Sequence, residues 1–103
     1  MTQKVIAGIT VNISEEGYFI NPDQWTRELA RELALEGGLV LTEKHMEILE
    51  FIRDRFITGH SLSIRSIGNS GITNIKEFYY LFPGAPMKVA AKLAGVPKPA
   101  GCF

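Results

Sequence analysis

Glycines and prolines cut this chain into short helix-forming runs, and that punctuation restricts its fold more than any other feature. Gly37–Gly38, Gly59, Pro83 and Gly95 each close a run of apolar residues at helical spacing. Glycine supplies the left-handed conformation that ends a helix, and proline cannot continue one. A chain divided this way packs several short helices together.

The first run, INPDQWTRELARELALEGG, opens on Asn21 as a cap, with Pro22 at the first helical position and Asp23 against the positive end of the dipole. Trp25, Leu29, Ala30 and Leu33 form its apolar stripe. The second, LTEKHMEILEFIRDRFITGH, is capped by Thr42, and Met46, Leu49, Ile52 and Phe56 recur along one face. SLSIRSIGNSG predicts a short helix capped by Ser61, TNIKEFYYLFP another capped by Thr73, and APMKVAAKLAG a last one from Pro86 to Gly95. Ahead of these, KVIAGITVNI reads as two strands around Ala7–Gly8, a hairpin, and Tyr18 and Phe19 cover one side of the core. The expected fold is mainly α: a small helical bundle with an N-terminal β-hairpin over residues 1–94 and a flexible C-terminal arm over 95–103.

With 103 residues the chain suits one domain with a single core. Eleven basic and eleven acidic residues cancel, so no bulk charge draws it to nucleic acid or to a membrane surface. No apolar run reaches the ~20 residues of a membrane span. One cysteine makes neither an internal disulfide nor a zinc site, and His45 and His60 lack ligand spacing, so no metal or cofactor is expected. His45 reads as a surface or half-buried residue, and His60 as a complement to the negative end of its helix. A free thiol points to a reducing cytoplasm.

The texture changes after Gly95. Pro97 and Pro99 favour an extended path, Gly101 frees the backbone beside Cys102, and the seven steps from Gly95 to Cys102 span roughly 25 Å at ~3.3–3.6 Å each. A thiol on such a tether can accept sulfur as a persulfide from one protein and deliver it to another. An ordinary cysteine is only a few per cent thiolate at neutral pH. The Phe103 carboxylate opposes ionisation and Lys98 favours it. Stronger activation requires a docked partner, or the arm folding back onto Arg53, Arg55, Arg65 or Lys92. Lys88, Lys92 and Lys98 are placed to steady a persulfide anion or to meet an acidic partner, although lysines are ordinarily just solvated. On the residues alone, an idle thiol stands beside the carrier reading.

LFPGAPMKVAAKLAGVPKPAGCF resembles the C-terminus of the DsrC/TusE family of sulfur-trafficking proteins. Leu81, Phe82, Pro83, Gly84 and Pro86 match the family's turn, and Lys92, Ala94, Gly95, Pro97, Lys98, Pro99, Gly101 and Cys102 match its arm. EEGYFINPDQW and LTEKHMEILEFIRDRF resemble its earlier segments. The resemblance implies a helical fold with a mobile arm, and Cys102 as the sulfur-carrying residue. DsrC-type members pair that cysteine with a second one, whose position here is Ala91. The single cysteine resembles the TusE type. That type relays persulfide sulfur from an upstream donor complex to a tRNA-thiolating enzyme. Related single-cysteine proteins also occur in sulfur-oxidising organisms. Two features depart from the family pattern: a short region before LFP, and Ala85 in place of a second turn glycine.

A different class of function competes with this one. Thr42 to Leu81 has the outline of a helix-turn-helix, with Arg65 and Lys76 as candidate DNA contacts and a steep loss of affinity with salt as the distinguishing sign. A neutral chain supports it poorly.

Overall fold

A computed structural model of the chain describes residues 2–98. Strands β1 (Thr2–Ile6) and β2 (Ile9–Ile13) pair antiparallel from Thr2↔Ile13 to Ile6↔Ile9, leaving Ala7 and Gly8 as a two-residue turn. Both turn residues have positive φ, 51° and 78°, as a tight hairpin matching the strand twist requires. The hairpin is therefore where the alternation places it. Its inner face, Ile6 and Val11, packs with Phe19 and Leu29 in a small cluster.

Among the described residues a 3₁₀ turn at Pro22–Gln24 precedes five helices: α1 (Arg27–Glu36), α2 (Glu43–Ile57), α3 (Ile64–Gly68), α4 (Ile75–Leu81) and α5 (Pro86–Leu93). The expected mainly α architecture with an N-terminal hairpin is present. Within the main core, Leu49, Ile52, Phe78, Phe82, Ala90 and Ala91 are wholly buried. Small side chains on α5 let it settle against α1, α2 and α4. Trp25 and Leu33 touch both clusters and join hairpin to bundle.

Five local expectations change. The run from Asn21 is not one helix. Asn21 does accept the Asp23 N–H, but Trp25 turns extended (ψ 141°) and Thr26 caps α1 by accepting from Leu29. Ser63 caps α3 through a reciprocal bond with Ser66, while Ser61 offers only its carbonyl, to Arg55. Asn74 caps α4, because the buried Thr73 hydroxyl is donated to Glu77 and to the Asn74 carbonyl. His45 is buried at 4% exposure, deeper than a first-turn histidine suggests. Its Nδ1 accepts the Thr42 N–H at 3.0 Å, so Nε2 carries the proton and donates to the Leu81 carbonyl at 2.8 Å. Phe56, expected on the apolar stripe of α2, is 41% exposed near the helix end.

Candidate functional site: the root of the C-terminal arm

Helix α5 ends where the arm begins, so the site is built from the way that end is closed. Gly95 sits past the cap residue Ala94 at φ +69°. Its N–H bonds the Lys92 carbonyl at 3.2 Å, and the Val96 N–H bonds that of Ala91 at 3.3 Å. This paired closure requires a left-handed residue, which glycine adopts without strain. A second demand falls on the same atom. A Cβ here would overlap Trp25, lying 2.7 Å from its Cβ and its Cγ and closer still to Cδ1. Gly95 is needed for its conformation and for its lack of volume.

Trp25 answers with its polar edge. Its indole Nε1–H donates to the Leu93 carbonyl at 2.7 Å. Arg53, reaching across from α2, stacks its guanidinium 4.5 Å from the centre of the Trp25 ring. One of its nitrogens donates to the Ala94 carbonyl and another to the Pro22 carbonyl, both at 3.0 Å. The last carbonyls of α5 and the 3₁₀ turn are thus closed by two side chains that also pack on each other. Burial pulls the Arg53 guanidinium below its ordinary pKa, and the charge of Asp23 opposes that shift. This is the reason for the break at Trp25: the ring is used on α5.

Beyond the clamp, Val96 is buried and Pro97 half-buried. Lys98 bonds both carboxylate oxygens of Glu16, at 3.2 and 2.9 Å. That bond holds the Glu16 carboxyl below its ordinary pKa against the desolvation of the site, and the charges of Lys98, Lys88 and Lys92 act in the same direction. Lys92 lies 5.3 Å from the centre of the Tyr18 ring and fills the space beside Gly17. The turn from Ser14 to Tyr18 and the first residues after α5 therefore face each other. An open cleft of about 340 Å³ flanks this root, with Lys4, Leu33, Glu36 and Lys92 in its walls.

Of the basic residues the sequence singles out, Arg53 and Lys92 stand at the root. Arg55 turns instead to the loop after α2, donating twice to the Ser61 carbonyl. Arg65 is exposed on the five-residue α3, and Lys76 is exposed on α4. His60 is exposed, its Nδ1 paired with the Thr58 hydroxyl at 2.7 Å. Gly95, Pro97 and Lys98 of the arm motif are seated as described. Pro99, Gly101 and Cys102 lie outside the described residues. Sequence reasoning missed Trp25 as a donor and Glu16 as a partner. One signal was present: Thr26, a good cap, directly follows the tryptophan and offers a helix start that leaves the ring outside. Among the described residues no group of three acidic, histidine or cysteine side chains is arranged to hold a metal ion, and no helix is long and apolar enough to cross a membrane.

The same arrangement of elements occurs in known proteins. The oxidized γ-subunit of dissimilatory sulfite reductase, DsrC, from Archaeoglobus fulgidus matches with a TM-score of 0.82 at 30% identity, over 99% of this chain and 100% of that one. The solution structure of Allochromatium vinosum DsrC matches at 0.83 and 31%, over 98% and 97%. In sequence, the chain is 35% identical over 106 residues to the sulfurtransferase TusE homolog of Haemophilus influenzae, covering 95% of this chain and 97% of that protein. It is 34% identical over 104 residues to sulfurtransferase TusE of Pectobacterium atrosepticum, covering 93% and 95%. The sequence model of the family described as DsrC like protein matches residues 5–103, a span that takes in the arm root and Cys102. The chain belongs to the DsrC-like family.

Proposed function

We propose that this protein is a sulfur carrier of the TusE type, holding sulfur as a persulfide on Cys102 and passing it toward tRNA 2-thiouridine synthesis. The observation that carries the reading is the family match, which runs through the arm to Cys102 and includes relatives named sulfurtransferase at 34–35% identity. The chemistry needs no cofactor. The Cys102 thiolate attacks the outer sulfur of a donor persulfide. A new S–S bond forms, the donor's S–S bond breaks, and the donor leaves as a thiolate, with no net oxidation. The outer sulfur is then open to attack by an acceptor. The reading calls for an upstream donor complex and a downstream tRNA-thiolating enzyme, in a cytoplasm reducing enough to keep the thiol free.

Ala91 favours the single-thiol chemistry. By the family resemblance its position is that of the second cysteine of DsrC-type members, and it is wholly buried in the core. With no other thiol in the chain, the carried sulfur has no internal acceptor.

Intact-protein mass spectrometry tests the reading after incubation with a cysteine desulfurase, cysteine and a relay protein. The wild type gains a sulfur mass that reductant removes, and Cys102→Ser gains none. No gain in the wild type, with a donor shown to load another carrier, would overturn it. Loading without transfer to a tRNA-thiolating enzyme would leave the carrier chemistry and redirect the acceptor to dissimilatory sulfur metabolism.

A further inference from the structure

We infer that the Glu16–Lys98 ion pair is a latch that sets the reach of the arm, with Trp25 and Arg53 as the fixed stop behind it. The inference rests on the carrier reading for its purpose, and on the contacts of Glu16, Trp25, Arg53 and Lys98 and the length of chain beyond them for its geometry. The tether is shorter than the sequence suggests. Gly95 and Val96 belong to the globule, held by the Schellman-type closure, the indole and the guanidinium. Lys98 is pinned to Glu16. Counted along the sequence, Cys102 stands four residues beyond Lys98, so with the latch closed it can lie at most about 13–14 Å from it. With the latch open, the count starts at the buried Val96, six residues before Cys102, and the upper bound rises to about 20–22 Å.

The two holds differ in kind. Clamp bonds go to helix carbonyls beneath an aromatic ring, where loss of a donor leaves a carbonyl unsatisfied. The latch joins exposed groups, an interaction that water and salt weaken. A docking partner that offers carboxylates to Lys98 therefore extends the arm by two residues without disturbing α5. In this role Glu16 and Lys98 are positioning residues for Cys102.

The chain carries one tryptophan and one cysteine, so both probe sites are native. Energy transfer from Trp25 to a dansyl group on Cys102, resolved in time, gives the distribution of distances between them. The wild type at low salt gives a narrow, short distribution. Glu16→Lys and Lys98→Glu each broaden it and move its upper edge outward by up to ~7 Å, the length of two residues. Combining the two substitutions restores the short distribution, which mere loss of packing would not do. Half-molar salt opens the wild type and leaves the single variants unchanged. Equal distributions in the wild type and both single variants, or no recovery in the charge swap, would overturn the latch. The assay involves no sulfur, so a failed carrier reading leaves its result standing, and a failed latch leaves the mass gain on Cys102 intact.

Discussion

Helices α4 and α5 end in the same way and for different purposes. The Leu81 carbonyl accepts the His45 ring N–H at 2.8 Å, and the Leu93 carbonyl accepts the Trp25 ring N–H at 2.7 Å. Each donor comes from another element and ties a helix end to the core. After α4 the chain turns through exposed Pro83 and Gly84 straight into α5, which then packs against α4. After α5 no further helix follows among the described residues, and the arm root gains a guanidinium on the next carbonyl. An indole takes up no proton and a guanidinium stays charged. The end that carries the arm is closed by groups that pH does not switch.

Substitutions at the two ends sharpen that contrast. Gly95→Ala has the largest expected effect on stability, about 2–5 kcal/mol, from a strained left-handed residue plus overlap with Trp25. Gly84→Ala, at φ +92° with open space around it, meets only the strain, about 1–2 kcal/mol. Thermal or urea unfolding of the pair measures the difference, and equal losses would remove the close approach of Trp25 as a cause. Arg53→Met removes two charge-assisted bonds to backbone carbonyls and is expected to cost about 2–4 kcal/mol. Trp25→Phe keeps most of the ring and loses only the Leu93 bond, for about 1–3 kcal/mol.

His45→Gln is smaller again. Glutamine at the third helical position can still bond back to Thr42, so only the Leu81 bond is lost, at about 1 kcal/mol. The smallest effect belongs to the latch and is read in distance rather than stability. The folded-state pKa of Glu16 is lowered from 4.5, so its bond to Lys98 is fully present above that value and is lost as pH falls through the lowered one. Acidification through that range should widen the Trp25–Cys102 distance distribution in the wild type. It should leave Glu16→Gln unchanged.

The elements most legible in the sequence are those whose local chemistry has no rival. Thr42 caps α2, Ala7–Gly8 turns the hairpin, and Gly38, Gly59 and Gly95 follow helix ends in the left-handed conformation. Ser61 and Thr73 misled because capping residues cluster there: the Ser61 carbonyl accepts from Arg55 ahead of the helix that Ser63 caps, and the Thr73 hydroxyl is donated to the Glu77 carboxylate, leaving Asn74 as the cap. His45 misled because a reciprocal cap with Thr42 and a bond to Leu81, thirty-six residues away, satisfy both ring nitrogens and let it be buried. For the site, the arm motif and Cys102 stand in the sequence and its family resemblance, while the seat beneath them does not.

Local propensity and apolar spacing by themselves determined a bundle of short helices behind a hairpin, and a lone thiol on a proline-containing tail. Both depend on residues within a few positions of one another, where spacing is a sufficient guide. The tertiary structure alone decided that the Trp25 indole closes the end of α5, that Arg53 serves the same end, and that Lys98 meets Glu16. Those partners stand 68, 41 and 82 residues apart. Nothing in a local pattern encodes a bond across such separations; it exists only once the core has brought the elements together.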